Sequence, residues 1–195
     1  MSNTAVDKKN VIIIRHGEAL HNVQRGYPYP DPPLTETGLE QASCIQLSLQ
    51  PDLIVVSPMR RTLQTAFQIR KSYPDVPIEI WPDLREAHDA ISNQGSPTSI
   101  LQQEFPNLDF SECLSEWTYE PHTSCRASER ADRVRRRLRE HPANRIVCVT
   151  HRGFIEYLVL EDQIFRNCEV GYFKFSGNVE AEIQRCGKGE NTSEL

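Results

Sequence analysis

Short apolar runs alternate with amphipathic segments along most of the chain. Four runs rich in valine and isoleucine have the length and composition of buried strands: 11–15, 52–57, 77–81 and 145–151. Four other segments repeat apolar residues at helical spacing and predict helices: 37–49, the segment from Pro58 to Arg70, 125–141 and 152–160. This alternation predicts an α/β fold, in which a mostly parallel sheet carries helices on both faces in a three-layer α/β/α arrangement.

Two segments interrupt the alternation of strands and helices. The proline-rich stretch 26–34 predicts a loop, because proline fits regular structure poorly. Residues 87–125 are polar and broken by Pro and Gly, with short helices predicted near 97–104 and 111–117. A long irregular segment inside a compact domain is usually functional, so we interpret 87–125 as a lid or an insertion that binds substrate.

The C-terminal part predicts an edge of the sheet. Residues 171–177 and 178–186 alternate in polarity, which predicts an antiparallel pair of strands joined by a turn at Gly177-Asn178. No repeat or shift in composition marks a second domain. We therefore expect residues 1–195 to form one domain, with its core in 10–186 and flexible ends.

Composition and charge exclude several classes of partner. The chain has 195 residues, with 22 Lys and Arg against 27 Asp and Glu, so its formal net charge is −5. This balance argues against nucleic acid and anionic membrane surfaces, and no apolar run approaches the roughly 20 residues of a membrane span. Acidic residues interleave the basic stretch 133–140, which predicts a solvated amphipathic helix rather than a nucleic-acid contact.

The cysteines and the N-terminus indicate the compartment. Six cysteines are scattered without a Cys-x-x-Cys pair, and two of them, Cys44 and Cys148, lie in apolar segments. This pattern favours buried, reduced thiols over a disulfide framework or a zinc site. The first ten residues lack the apolar stretch of a secretory signal. We therefore expect a cytoplasmic or nuclear protein.

Charged and catalytic residue types follow the predicted strands. In open α/β sheets, ligands bind beyond the carboxyl ends of the strands, where these residues should meet. Taken singly, each would usually be structural or solvated, but together they point to one rim. The candidates are Arg15, His16 and Gly17 after the first strand, Ser57, Arg60 and Arg61 after the second, Glu86 after the third, and His151, Arg152 and Gly153 after the fourth.

This combination of residues suits phosphoryl transfer. Arginine pairs bidentately with phosphate oxygens, and a neutral imidazole can attack phosphorus as a covalent nucleophile. A nearby carboxylic acid can protonate the oxygen that leaves. Fixed cations already offset the phosphate charge, so we expect no metal and no other cofactor. Asp52 and Asp83 do not form the carboxylate cluster that magnesium prefers.

Four blocks resemble the histidine phosphatase superfamily, which has the phosphoglycerate mutase-like fold. They occur in the order that the family has. The segments YPDPPLT (29–35), LREAHDA (84–90) and FPNLDFSE (105–112) resemble small fungal phosphoglycerate mutase-like phosphatases. The blocks are RHGEALHN (15–22), LTETGLEQA (34–42), SPMRRTLQTA (57–66) and VTHRGFI (149–155).

The resemblance implies a role for each matching residue. It makes His16 the nucleophile that becomes phosphohistidine, and Glu86 the general acid. The phosphoryl oxygens would be held by Arg15, Arg61 and His151, with help from Asn22. Arg61 takes the arginine position rather than Arg60, because it lies four residues before Thr65 as in the family pattern.

Two further residues are candidates for substrate contact. Arg152 departs from the small residue that the family usually has after its second histidine, so it either adds a contact or faces outward. Tyr27 lies in a loop that should overhang the site, as does Trp117, and for both ordinary loop packing is an equal alternative.

Three functions remain open at this point. The favoured one is a metal-independent phosphatase for a small phosphorylated metabolite, because little chain follows the last strand to enclose the site. Phosphoglycerate-type mutases usually carry a longer C-terminal extension. The third is a role in biosynthesis or partner binding on the same fold without phosphatase activity. The sequence carries no signal of oligomeric state.

Overall fold

A six-stranded sheet forms the centre of the computed structural model, which describes residues 9–160, 164–175 and 183–188. The strands are β1 (Asn10–Arg15), β2 (Leu53–Val56), β3 (Ile78–Ile80), β4 (Arg145–Thr150), β5 (Val170–Phe175) and β6 (Ile183–Lys188). Their order is β3-β2-β4-β1-β5-β6. The first four strands along the chain are parallel, and β5 runs antiparallel to both β1 and β6. The prediction of a mostly parallel sheet is confirmed.

Helices follow most of the parallel strands. Within the described residues they are α1 (Leu20–Val23), α2 (Glu36–Ser43), α3 (Arg60–Ser72), α4 (Thr98–Glu104), α5 (Ser124–Glu140) and α6 (Arg152–Val159). Short 3₁₀ turns occur at Pro82–Leu84 and Ile91–Asn93.

The two faces of the sheet are buried against different helices. Alternate side chains of β1 point to opposite faces, because successive residues of a strand alternate. Val11 and Ile13 pack with apolar residues of α5 and α6, whereas Ile12 and Ile14 pack with residues of α2 and α3. The α/β fold with helices on both faces is therefore confirmed.

Helix α5 is more deeply buried than its basic sequence predicts. Arg135 is only 5% exposed, and its guanidinium donates to the carbonyls of Tyr157 and Leu158 near the end of α6, at 2.7 and 2.9 Å. Arg130 is 4% exposed and donates to the backbone carbonyls of Asp83 and Arg85. The predicted amphipathic helix is present over 133–140, with Arg133 and Arg136 exposed, but Arg135 departs from a solvated position because carbonyl oxygens of α6 bind its guanidinium.

Helix α2 is shorter than predicted and ends at Ser43 instead of residue 49. The Ser43 hydroxyl donates to the Glu40 carbonyl at 2.8 Å, a local bond that competes with helical pairing. Further on, the backbone N–H of Ser48 donates to the Tyr172 hydroxyl on β5 at 2.9 Å. Cys44 caps the shortened helix and is exposed, so the expected burial holds for Cys148 but not for Cys44.

The insertion 87–125 is anchored to the core rather than free-standing. Its predicted first helix is present as α4, but residues 111–117 form turns and not a helix. The Tyr119 hydroxyl accepts the Leu114 backbone N–H at 3.1 Å, which replaces a helical bond. Four buried apolar residues join the core on the α3 side of the sheet: Leu101, Phe105, Leu108 and Phe110.

The C-terminal strands pair as predicted. β5 and β6 are antiparallel, with Phe175 opposite Ile183, and β6 lies at the edge of the sheet. The predicted turn at Gly177-Asn178 and most of the predicted flexible ends lie outside the described residues. The prediction of flexible ends is wrong at residues 9, 187 and 188, because Lys9 is buried and residues 187 and 188 belong to β6. Within the described ranges, no helix is long and apolar enough to cross a membrane. The expectation of a single domain stays a prediction.

Candidate active site

The carboxyl ends of β1 and β4 place two histidines side by side. Arg15 and Thr150 are paired in the parallel register of these strands, and His16 and His151 directly follow them. The ring centroids of the two histidines lie 5.3 Å apart. His16 is 2% exposed and His151 is 0% exposed, so both imidazoles are buried at the rim of the sheet.

The hydrogen bonds of His16 fix its tautomer. Its Nδ1 lies 2.7 Å from the carbonyl oxygen of Gly17. A carbonyl can only accept, so Nδ1 carries the proton and the lone pair is on Nε2. Burial, followed by the charges of Arg61 and Arg15, holds the pKa of His16 well below its usual 6.5. The ring is therefore neutral at physiological pH, with Nε2 available as a nucleophile.

The two arginines of the predicted clamp both lie at this rim. Arg61 is completely buried, and burial lowers its pKa to about 10 against the opposing charge of Glu86. It therefore stays cationic at neutral pH. Its terminal nitrogens donate to the Ser92 carbonyl at 2.9 Å and to Asn93 Oδ1 at 3.0 Å, which leaves Nε–H and one further N–H on each terminal nitrogen. Arg15 donates through one terminal nitrogen to the Phe165 carbonyl at 2.8 Å.

Several buried nitrogens in this cluster lack a hydrogen-bond partner within the described part of the chain. Buried polar atoms are nearly always paired, so a group of unpaired ones calls for a ligand. The Asn22 side-chain oxygen accepts the Ala19 N–H at 3.0 Å, so the amide nitrogen of Asn22 faces His21 and donates to its Nε2. The proton of His21 is therefore on Nδ1, which adds a further donor to the cluster. The unpaired atoms of the cluster are Arg15 Nε, His21 Nδ1, Arg61 Nε and His151 Nδ1.

The loop after His16 is held in place by the first turn of α2. Thr35 caps this helix by accepting the Gly38 N–H at 2.9 Å, and its hydroxyl lies 2.7 Å from Glu18 Oε1. Gln41 accepts the Glu18 N–H at 2.9 Å. A Cβ on Gly38 would lie 1.9 Å from the Glu18 carbonyl oxygen, so only glycine permits this approach. The second sequence block thus positions the loop that follows His16.

Three positioning residues were not assigned roles from the sequence. The Thr65 hydroxyl donates to the Arg61 carbonyl at 2.7 Å and accepts the Gly17 N–H at 3.1 Å, which joins α3 to the loop after His16. Ser57 Oγ lies 2.8 Å from His151 Nε2 and so orients that ring. His21 lies 5.8 Å from His16 between ring centroids. All three lie in the quoted blocks, Ser57 and Thr65 in the third and His21 in the first, and that position is the signal that could have indicated them.

Glu86 sits at the N-terminus of α6, next to His151. Its Oε1 accepts the N–H groups of Ala87 and Phe154 at 2.7 and 3.0 Å, and Oε2 accepts the Gly153 N–H at 3.4 Å. A Cβ on Gly153 would lie 2.7 Å from Glu86 Oε1 and 2.5 Å from His88 Nε2. The absence of a side chain at position 153 therefore lets both groups approach the helix terminus.

The remaining predicted residues lie around this cluster at different distances. Arg152 is the first residue of α6 and is exposed. Burial lowers the pKa of Arg15, and repulsion from the positive charge of Arg152 lowers it further. Asn22 is exposed, and its Oδ1 also accepts from Asn167 at 3.3 Å. Tyr27 packs edge-on against the Tyr29 ring at 5.7 Å, and no described contact joins it to His16. The substrate roles of all three stay predictions.

A cavity opens on the side of Glu86 that faces the insertion. Its volume is about 610 Å³, and Trp117, Tyr119, His88 and His122 contribute to its wall. Among the described residues, no group of three or more His, Cys, Asp or Glu side chains is arranged to hold a metal ion. The charge at the site comes from its arginines.

Burial of the histidines makes the folded state sensitive to acid. Burial, with the charges of Arg61 and Arg15, lowers the pKa of His21 to about 3 from 6.5, so the unfolded chain binds a proton below pH 6.5 that the folded chain does not. The contribution of His21 to the free energy of unfolding is therefore complete above pH 6.5. It decreases as the pH falls below that value, by up to about 1.4 kcal/mol per pH unit. His21→Asn should reduce the slope of the unfolding free energy against pH by this amount, when the free energy is measured by urea unfolding between pH 7 and pH 5. Equal slopes in the two proteins would contradict the assignment.

A family comparison identifies the chain's relatives. The profile of the Histidine phosphatase superfamily (branch 1) matches residues 11–171. A protein of Schizosaccharomyces pombe (strain 972 / ATCC 24843) named as a probable phosphatase is 33% identical over an alignment of 123 residues, and the match covers 58% of this chain and 56% of that protein. The chain thus spans about half the length of this curated relative.

Solved structures share the fold. The alpha-ribazole phosphatase from Shigella flexneri matches with a TM-score of 0.62 at 22% identity, over 95% of this chain and 98% of that one. A phosphoserine phosphatase from Entamoeba histolytica, in complex with 3-phosphoglyceric acid, matches with a TM-score of 0.61 at 21% identity, over 94% and 98% of the two chains. The architecture and the match over residues 11–171 together show that the chain belongs to branch 1 of the histidine phosphatase superfamily.

Proposed function

We propose that this protein is a metal-independent phosphatase that hydrolyses a small phosphorylated metabolite through a phosphohistidine on His16. The observation that carries the proposal is the group of buried, unpaired nitrogens around a neutral His16. Two guanidiniums and two imidazoles supply these atoms, and a phosphoryl group has the oxygen acceptors and negative charge that would satisfy them. The named phosphatase among the relatives supports the same class of reaction.

The first step transfers the phosphoryl group to the protein. His16 Nε2 attacks phosphorus while the bond from phosphorus to the substrate oxygen breaks. Arg15, Arg61 and His151 hold the phosphoryl oxygens as charge builds on them, an arrangement that needs no metal because the cations are already fixed in place. Glu86 protonates the departing oxygen, so that an alcohol leaves rather than an alkoxide.

The second step returns the phosphoryl group to water. Glu86, now ionised, takes a proton from a water molecule as that water attacks phosphorus. The bond to His16 Nε2 breaks, inorganic phosphate leaves, and His16 returns to its neutral state. Since Glu86 lies at the helix terminus beside His151, one carboxyl group can serve both steps.

The competing functions make different products. A mutase would return the phosphoryl group to another oxygen of the same substrate, whereas a partner-binding protein would turn over nothing. A hydrolase releases inorganic phosphate in amounts equal to the alcohol, which a phosphate assay measures directly. The expectation of a fungal, cytoplasmic or nuclear protein stays a prediction, as does the absence of nucleic-acid partners.

Activity should survive removal of metal ions. The positive charge that the reaction needs comes from Arg15 and Arg61, which no chelator removes. After dialysis against a strong chelator, kcat/KM for an alkyl phosphate should stay within about twofold of its starting value. A large loss that magnesium or zinc restores would place the protein in a different mechanistic class.

Glu86→Gln should slow alkyl phosphates far more than nitrophenyl phosphate. An alkyl oxygen leaves poorly without a proton, and a positioned acid typically contributes about 10²–10⁴-fold, whereas nitrophenolate leaves readily without one. The measurement is the single-turnover rate of phosphorylation for each substrate, because loss of the base slows the second step for both.

The leaving-group comparison also has a clear negative result. Equal losses for the two substrates would show that Glu86 is not the acid. His88, whose Nε2 approaches the same glycine, and Asp89 would then be the next candidates. Glu140→Gln serves as the matched control, because Glu140 is an exposed carboxylate at the end of α5 and does not line the cavity.

A further inference from the structure

The cavity beside Glu86 is larger than a small acid requires. Glu86, the acid of the proposed mechanism, forms part of its wall, which puts this space next to the group that would protonate the leaving oxygen. Its volume of about 610 Å³ lies within the range, roughly 300–1,000 Å³, of pockets that enclose drug-sized ligands. A three-carbon acid such as glycerate would fill only a small part of it.

The charges on the cavity wall cancel. Three arginines and three carboxylates line it, so no net positive charge awaits an anionic leaving group. The carboxylates are Glu86, Asp89 and Glu120. A substrate with a second phosphate or a carboxylate would need an uncommitted cation here, since charged groups bind tightly only when paired.

Each of the three arginines is already engaged within the protein. Arg130 donates to backbone carbonyls at 2.7–3.2 Å, and Arg126 pairs with Glu120 at 3.3 Å. Arg85 lies 4.1 Å above the centre of the Tyr119 ring. These contacts leave aromatic surface, rather than free cationic groups, as the main recognition element of the cavity.

The aromatic residues of the cavity are arranged in two pairs. Trp117 and Tyr119 meet edge to face with centroids 4.9 Å apart, and His88 and His122 do so at 5.6 Å. The six-membered ring of Trp117 lies against Gly95, where a Cβ would come within 2.2 Å of two ring carbons. Gly95 thus allows the indole to lie close to the backbone, which fixes the position of this wall.

We infer that the natural substrate is the phosphomonoester of an alcohol that carries a planar aromatic or heterocyclic ring and no second anionic group. The inference rests on the proposed function, because it assigns the cavity to the alcohol that Glu86 protonates. The ring stacks among the four aromatic side chains, and such pairs add to the gain from burying apolar surface. Asp89 offers a carboxylate to a hydroxyl or amine on the ring system.

The test compares three phosphates of primary alcohols, whose intrinsic reactivities are similar. The substrates are 2-(indol-3-yl)ethyl phosphate, ethyl phosphate and the O-phosphate of serine, and inorganic phosphate release gives kcat/KM for each. The indolyl compound should exceed ethyl phosphate by about 10–100-fold, as expected from burying one aromatic group, and phosphoserine should gain nothing from its charges.

Variants assign the preference to the cavity. Trp117→Ala should lower the ratio of kcat/KM between indolylethyl and ethyl phosphate by about tenfold, and Trp117→Phe should keep most of it. Ile100→Ala is the control, because this residue of the same insertion is 41% exposed and does not line the cavity. It should leave the ratio unchanged. Trp117→Phe keeps the test valid if the alanine variant does not fold.

The outcomes separate the two proposals. Release of phosphate with a ratio near one, a preference for phosphoserine, or equal losses for both substrates in Trp117→Ala would overturn the aromatic inference and leave the phosphatase proposal intact. If none of the three phosphates were hydrolysed at high protein concentration, the proposed function would fail, and the inference with it.

Discussion

Replacing His16 with alanine is expected to abolish hydrolysis almost completely. The loss of kcat should be on the order of 10⁶, the scale seen when a covalent nucleophile is removed from another enzyme. Alanine deletes the imidazole whose Nε2 lone pair is left free, since the Gly17 carbonyl holds Nδ1–H. Neither His21 nor His151 can replace it, because each is oriented by its own partner, Asn22 or Ser57.

The control for this variant is a histidine outside the site. His141 contacts Glu79 of β3 at 3.3 Å and does not belong to the cluster around His16. His141→Asn should therefore keep full activity. Phosphate release by both proteins is compared after thermal unfolding confirms that each is folded. Activity above about one per cent in His16→Ala would contradict the assignment of His16 as nucleophile.

Arg61→Ala should lose about 10³-fold in kcat/KM, whereas Arg60→Ala should lose less than about twofold. The two residues are neighbours on α3 but point about 100° apart. Arg61 is fully buried at the cluster, while Arg60 points away and pairs with Glu104 at 2.5 Å. An exposed pair of this kind contributes little to stability and none of the charge at the site.

A lysine variant separates the clamp from the packing. Arg61→Lys keeps the positive charge but cannot present two parallel N–H groups to a phosphoryl group, so it should still lose most of the activity. Because Arg61 also holds the Ser92 carbonyl, unfolding curves are needed for each variant. Equal losses in Arg60→Ala and Arg61→Ala would contradict this arrangement.

The sheet and the meeting of the candidate residues at its rim could be predicted because their signals are local. β1, β2 and β4 are buried on both faces, so they appear in the sequence as unbroken apolar runs. A residue directly after such a run must lie at the edge of the sheet. That rule predicts that His16 and His151 lie together, and Thr65 distinguishes Arg61 from Arg60 through the family pattern.

The parts that could not be predicted depend on contacts between distant segments. The end of α2 and the turns at 111–117 involve tyrosine hydroxyls that accept backbone N–H groups, Tyr172 and Tyr119. Arg130 and Arg135 look like surface residues in sequence, yet carbonyls from other elements bury them. The first block contains His21, but the part that it plays depends on the ring of His16 lying 5.8 Å away.

The central claim is a covalent bond between phosphorus and His16, and trapping that bond tests it most directly. The protein is mixed with radiolabelled alkyl phosphate, quenched within the first turnover without acid, and digested for mass spectrometry. The account predicts a base-stable, acid-labile phosphoryl group on His16, formed at the rate of the burst and absent in His16→Ala. Continued turnover with no adduct, or with an adduct on a different residue, would contradict it.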